Sequence, residues 1–196
     1  MNPQIVVLIE RMRGLEGELE AELAKRRAEL QVGLEKGRAI FEEEILRRHR
    51  ELKTRLSAYI LGARPLVVIT APVIYSLIIP LVLLDLFVTV YQAVCFPVYR
   101  IPKVRRRDYL VFDRHHLAYL NALEKLNCAY CSYANGLIAY VREIASRTEQ
   151  YWCPIKHARR LIGAHALYAM FEDYGDADAY RGRLAEFRET LAKEQK

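Results

Sequence analysis

Apolar residues recur every eleven positions along the first sixty residues, in two neighbouring registers separated by mostly charged residues. Eleven residues make three turns of about 3.67 residues each, so both registers stay on one helix face with a slight right-handed drift. The pattern predicts one long helix within residues 1–63 that begins near Pro3 and carries a narrow apolar seam. The ten seam positions are Leu8, Met12, Leu19, Leu23, Leu30, Leu34, Phe41, Ile45, Leu52 and Leu56.

The seam is narrower than the apolar face of a helix that lies on lipid, which is broad and is bordered by cationic residues. Glutamates such as Glu16, Glu20 and Glu43 border this seam and would repel anionic lipid. The pattern therefore favours a partner helix, and we expect a homo-oligomer joined along the seam. A helix lying on lipid is the alternative.

The second pattern is an apolar block over residues 65–99, in which Asp85 is the one charged side chain. It is too long for one straight membrane span of about 20 residues and short for two spans with a turn. Pro72 and Pro80 would kink or break a helix. The interpretations are a membrane hairpin, a shallow re-entrant hairpin or one kinked span. A buried helix pair in a soluble protein is disfavoured, because the block has no polar face.

The chain has a formal charge of +6, and basic residues flank the apolar block. This placement favours anionic lipid headgroups over nucleic acid as the partner. Basic flanks tend to stay cytoplasmic, so a hairpin with the N- and C-terminal regions on the cytoplasmic side is favoured. The predicted headgroup contacts are Arg64, Arg100, Lys103, Arg105, Arg106 and Arg107.

Asp85 is an ionisable side chain inside the block, and such residues usually face a protein partner, a cavity or water. It can be a functional proton or ligand site, or it can mark the membrane interface. Four aromatic residues are further candidates for the interface: Tyr75, Tyr91, Phe96 and Tyr99.

The third segment, residues 101–196, has the pattern of a small helical domain. Asp113 is the predicted N-cap of a first helix, Asn135-Gly136 predicts a turn, and a second helix should end before Pro154. A last helix would place Tyr180, Leu184, Phe187 and Leu191 on one face.

This segment also carries a Cys-x2-Cys pair and a later Cys-x3-His pair. Cys128, Cys131, Cys153 and His157 offer the soft ligands of tetrahedral zinc, and iron is the less expected metal. A long helix between the pairs would hold them apart unless it bends or two chains share the site. In an antiparallel helix pair, His115 and His116 are alternative partners for Cys153 and His157. Simple packing and redox use of the cysteines stay open.

Together these patterns predict an all-α, membrane-anchored chain. Its segments are a long helix (1–63), a proline-kinked hairpin or span (64–100) and a helical domain with a Cys/His cluster (101–196). The favoured function is a self-assembling membrane scaffold with a cytoplasmic metal-binding domain. The alternative is a membrane-bound redox or metal-dependent enzyme using the Cys/His cluster and Asp85. The sequence identifies no small-molecule substrate.

Overall fold

The computed structural model describes residues 3–29, 32–35, 38–41 and 43–193, which are mostly helical. The chain divides into two compact units, each built from non-consecutive stretches. The first unit comprises Met1–Arg13, Val82–Tyr109 and Leu137–Lys196, and the second comprises Gly14–Leu81 and Leu110–Gly136. The three consecutive segments predicted from the sequence remain a prediction.

The N-terminal segment is not one helix. Helix α1 spans Pro3–Glu29 and is followed by strands β1 (Val32–Glu35) and β2 (Arg38–Phe41), which pair antiparallel with Val32 opposite Phe41. Helices α2 (Glu43–Glu51) and α3 (Leu56–Leu61) come next. Gly33 and the glycine at position 37 each lower helix stability by about 1 kcal/mol relative to alanine, which disfavours a helix through this region. The predicted continuous helix over 1–63 is therefore wrong.

The apolar block forms helix α4 (Pro65–Ser76) and helix α5 (Ile78–Tyr99), joined by Leu77. Leu77 has right-handed helical dihedral angles, and the Leu81 amide donates to its carbonyl. The chain consequently does not turn back, and Pro65–Tyr99 forms one helical segment of 35 residues. The predicted hairpin is not formed; of the interpretations above, the single kinked helix agrees with the structure.

Helix α6 spans Ala122–Trp152 and passes straight through Asn135 and Gly136. The predicted turn at these residues is wrong. The Asn135 side-chain amide donates to the Cys131 carbonyl, four residues earlier, and Gly136 is buried. A glycine destabilises a helix by about 1 kcal/mol relative to alanine, and tertiary packing offsets this cost here.

The N-cap of α6 is Asn121, whereas the sequence predicted Asp113 at the start of the first helix. The Asn121 carboxamide oxygen accepts from the amides of Leu123 and Glu124, and the Glu124 carboxylate accepts from the Asn121 amide. This reciprocal arrangement is a capping box. Asp113 instead precedes a short 3-10 turn at Arg114–His116.

Helix α7 spans Ala177–Lys193 and confirms the last predicted helix. Phe187 and Leu191 are buried, and Tyr180 and Leu184 are half-buried. The loop between α6 and α7 is tied down by two backbone hydrogen bonds: Lys156 donates to Glu172, and Glu172 donates to Pro154. The Glu172 carboxylate is buried and accepts from Arg183 at 2.5 Å.

In the second unit, the end of α4 contacts the first half of α6. The Tyr130 hydroxyl donates to the Ile74 carbonyl at 2.7 Å, and the Tyr75 hydroxyl donates to the Asn127 carboxamide. The rings of Tyr75 and Tyr130 meet edge to face.

Candidate membrane anchor and Cys/His residues

Helix α5 has one buried face, and that face is largely polar. Asp85, Gln92 and Phe96 are buried, and Thr89 lies on the same face and donates to Asp85 at 3.4 Å. At about 100° per residue, positions 85, 89, 92 and 96 form one stripe along the helix. The stripe is covered by the chain that follows α5.

That following chain, residues 100–108, reverses direction and returns along α5; we refer to it as the strap. Arg100 has a φ of 56°, a left-handed conformation that closes the helix, and the Ile101 amide donates to the Phe96 carbonyl at 2.9 Å. Further along, the Val104 amide donates to the Gln92 carboxamide oxygen at 2.6 Å. The side chains of Ile101 and Val104 are buried, so apolar packing holds the strap in addition to the hydrogen bonds.

The strap ends on Asp85. Two guanidinium nitrogens of Arg106 contact the two oxygens of the Asp85 carboxylate, one of them at 2.6 Å. The Asp85 side chain is 12% exposed, whereas that of Arg106 is 43% exposed. Bidentate Arg–carboxylate pairs are among the stronger charge-assisted hydrogen bonds. Asp85 therefore has a structural partner, which weakens its interpretation as a proton or substrate site.

The second half of α6 completes this core of the first unit. The Gln92 amide donates to the Tyr140 hydroxyl at 2.7 Å, and the Tyr91 and Thr148 hydroxyls lie 3.0 Å apart. Arg147 donates to the Pro102 carbonyl at 2.9 Å. The polar groups of α5 are thus bonded to protein, as buried polar groups must be.

The opposite face of α5 is apolar and exposed. Its residues Leu86, Phe87, Val90, Val94 and Val98 have exposed fractions of 53–72%, and we name them the outer stripe. At 100° per residue the outer stripe lies roughly half a turn from the polar stripe. Water contact at five such side chains is unfavourable, which indicates a surface that meets lipid or protein.

The structure separates the predicted headgroup residues into two groups. Lys103, Arg105 and Arg107 are exposed on the strap, together with Arg100 at its start and Arg64 before α4. Arg106 differs because it pairs with Asp85 and anchors the strap to α5. The sequence pattern predicts headgroup contacts for all of these residues and does not distinguish Arg106 from its neighbours.

The four candidate interfacial aromatics also differ in their environments. Phe96 is fully buried, Tyr75 and Tyr91 are hydrogen-bonded within the protein, and Tyr99 contacts Tyr151 and Trp152. Trp152 is 47% exposed, so the Tyr99 end of α5 carries a partly exposed aromatic cluster.

The predicted metal ligands lie on different parts of the chain. Cys128 and Cys131 lie within α6, Cys153 directly follows α6, and His157 lies in the next loop. Helix α6 thus lies between the two pairs along the chain. Among residues 3–29, 32–35, 38–41 and 43–193, no three His, Cys, Asp or Glu side chains are arranged to hold a metal ion. The four-ligand site stays a prediction.

The alternative ligands His115 and His116 lie in the 3-10 turn before α6, with ring centroids 3.8 Å apart. His115 lines a small crevice with Cys128, and its Nδ1 contacts the Phe112 carbonyl oxygen. The expected proximity of these histidines to Cys153 and His157 required a second helix antiparallel to the first. A single α6 replaces that helix pair.

Cys153 is exposed directly after the end of α6. Burial, and secondarily the negative charge of Glu149, raise the pKa of Cys153 above its ordinary value. Redox and nucleophilic cysteines have lowered pKa values. Glu149 itself contacts His165, whose Nε2 lies 3.0 Å from its carboxylate, a contact that the sequence did not indicate.

The seam residues have different locations in the structure. Leu8, Met12, Leu19 and Leu23 lie on α1 with exposed fractions of 46–61%. Leu15, which the eleven-residue registers omit, is also exposed on α1 between Met12 and Leu19. Leu34 and Phe41 belong to β1 and β2, Ile45 lies on α2, Leu52 and Leu56 are exposed beyond it, and Leu30 lies outside the described residues.

Comparison with protein-family models, with curated proteins and with solved structures finds no match to this chain. Assignment of a function therefore depends on the chemistry of the residues described above. The 35-residue apolar helical segment Pro65–Tyr99 is long and apolar enough to cross a membrane.

Proposed function

We propose that this chain is a membrane-anchored scaffold protein that assembles copies of itself on the cytoplasmic side of a membrane. The observation that carries the proposal is the exposure of the apolar segment Pro65–Tyr99. Large apolar side chains along it, including Leu66, Ile69, Val73 and Ile79, are 63–74% exposed. A bilayer removes such side chains from water, at roughly 25 cal/mol per Å² of apolar surface.

The exposed leucines of α1 support the self-assembly part of the proposal. Met12, Leu15, Leu19 and Leu23 follow one another at intervals of three or four residues, the spacing of a continuous helix face. Glutamates and basic residues flank this face, as in helices that recognise partner helices. The proposal therefore limits the self-association seam to the part of it that lies on the continuous helix α1.

Zinc binding stays part of the proposal in a restricted form. The Cys128–Cys131 pair lies within the long helix α6, and Cys153 and His157 follow that helix. The form proposed here is a site whose two pairs come from two chains. Two observations argue against the rival function, a redox or metal-dependent enzyme. Asp85 is paired with Arg106, and the pKa of Cys153 is raised.

The experiment that tests self-assembly replaces two leucines on the α1 face. In the double variant Leu19→Glu/Leu23→Glu, charge enters the centre of the face and the apolar segment is untouched. Burying a leucine is worth roughly 1.5–3 kcal/mol, so two losses per chain should weaken association at least about tenfold. Mass measurement of the purified chain in mild detergent, over a range of concentrations, gives the oligomeric state.

The matched control is Ala21→Glu/Ala24→Glu, which adds the same charge to the same helix on its opposite side. The control should keep the native oligomer, and both variants should float with vesicles. An unchanged oligomer in the leucine variant would contradict assembly through α1. Loss of the leucine variant from vesicles would identify α1 as a lipid-binding helix.

A further inference from the structure

The stretch of α5 within the first unit, Val82–Tyr99, presents two opposite faces of different character. Its polar stripe is held by the strap and by α6, while the outer stripe is exposed. We propose that this stretch lies in the plane of an anionic bilayer surface, with the outer stripe in the acyl boundary. The inference rests on the proposed membrane anchoring and specifies how this part of the anchor meets lipid.

The strap argues against a transmembrane orientation of this stretch. It runs alongside α5 from Phe96 back to Asp85, so a bilayer that enclosed α5 over this length would also enclose the strap. Lys103, Arg105 and Arg107 are exposed on the strap. Charged side chains within the hydrocarbon are costly. An in-plane helix avoids this cost because only the outer stripe leaves water.

The charges on the strap also identify the occupant of the outer stripe as anionic lipid. Arg105 and Arg107 share a single neighbouring carboxylate, Asp108, at 3.1 and 3.8 Å, and remain 69% and 78% exposed. Because the strap covers the polar stripe, these cations lie on the side of α5 opposite the outer stripe. A cationic polar side opposite an apolar stripe is the arrangement of helices that lie on anionic lipid. A second copy of the chain carries the same exposed cations and so offers no charge complementary to the strap.

The aromatic cluster at the end of α5 is consistent with this orientation. Tyr99 and Trp152 meet edge to face at 5.3 Å, next to Arg100, and Trp152 is partly exposed. Trp and Tyr side chains are enriched at the level of lipid headgroups.

The test measures the depth of four positions along the outer stripe in the full-length chain. Phe87, Val90, Val94 and Val98 are replaced singly by cysteine in a variant whose native cysteines are serine, and each is labelled with an environment-sensitive fluorophore. The chain is reconstituted in vesicles of phosphatidylcholine and phosphatidylglycerol, and quenching by lipids brominated at different acyl positions gives the depth. Lys103→Cys, on the strap opposite the outer stripe, serves as the reference outside the acyl region.

The expected result is one common depth of about 5–10 Å below the headgroups for all four positions. A steady change in depth along the helix would overturn the proposal, because a span would separate positions 87 and 98 by about 16 Å. Absence of quenching at all four positions, with the chain still bound to vesicles, would also overturn it and would indicate that protein covers the stripe. Failure of the chain to float with vesicles would instead refute the anchoring itself.

A second depth measurement guards against effects of the labels on folding. Phe87→Trp and Val98→Trp, each combined with Trp152→Phe, repeat the depth comparison without cysteine replacement.

A charge variant tests the role of the strap. In the Lys103→Gln/Arg105→Gln variant, acyl quenching at position 94 in anionic vesicles should fall to the level seen in neutral vesicles. The matched control Arg159→Gln/Arg160→Gln removes two exposed cations from the loop after α6 and should leave quenching unchanged. Equal quenching in both pairs of variants would contradict the role of the strap.

Discussion

The Asp85–Arg106 pair gives the sharpest test of the fold of the first unit. Replacing Arg106 by glutamine removes the charged partner of a carboxylate that is 12% exposed. Replacing Asp85 by asparagine removes the opposite charge and leaves Arg106, which can reach water. The Arg106 variant should therefore be the more destabilised of the two single variants.

The magnitude follows from the burial of each partner. Removal of one member of a fully buried pair costs about 3–5 kcal/mol, and an exposed pair contributes about 0–1 kcal/mol. Since the Arg106 side chain is 43% exposed, an intermediate value applies. We expect Arg106→Gln to lower the free energy of unfolding by about 1–3 kcal/mol, with a coupling energy of about 1–2 kcal/mol in a double-mutant cycle.

Trp152 is the single tryptophan of the chain and contacts Tyr99 and Tyr151, so its fluorescence reports on the first unit. Denaturant titrations in mild detergent, followed at Trp152, give the four unfolding free energies of the cycle. The charge-conserving variant Arg106→Lys should recover part of the loss. A coupling energy below about 0.3 kcal/mol would refute the reasoning, since independent sites add within that range.

Three further predictions concern α6 and its cysteines. Asn121→Ala removes the N-cap and should cost about 0.5–2 kcal/mol of unfolding free energy, measured by denaturant titration, whereas Asn121→Ser should largely retain it. Because burial and Glu149 raise the pKa of Cys153, alkylation of its thiol should require a higher pH than alkylation of a free thiol. The Glu149→Gln variant should lower that pKa and speed alkylation at pH 8. An unchanged rate would contradict the assigned cause. Cys128→Ser should release any zinc that the purified chain contains, as measured by elemental analysis, and full metal content would exclude this ligand.

The sequence alone predicts the mostly helical character of the chain, because apolar spacing is a local signal. The face of α7 with Phe187 and Leu191 follows from its period, and the apolar segment follows from its composition. The capping box at Asn121 also has a local signal, a glutamate three residues after the asparagine, which the prediction of Asp113 as the N-cap does not use.

Features that depend on tertiary contacts could not be predicted in this way. The burial of Gly136 lets α6 continue through an Asn-Gly pair, and no local pattern indicates that burial. Arg100 has a left-handed conformation although it is not glycine, so the reversal into the strap has no sequence signature. The pairing of Gln92 with Tyr140 joins residues 48 positions apart. The sequence does predict a long helix between the Cys and His pairs, and only its continuity through Asn135 and Gly136 depends on tertiary packing.

The bonding of Gln92 has a consequence for the order in which the chain folds during synthesis. Its first partner, Val104, lies 12 residues downstream, and its second, Tyr140, lies 48 residues downstream. At about 5–20 residues per second, Tyr140 is added roughly 2–10 s after Gln92. The ribosome therefore delivers α5 well before its polar stripe can be covered. If α5 contacts a membrane before then, its polar stripe is still uncovered. Helix α5 can reach its final position only after the second half of α6 has been synthesised.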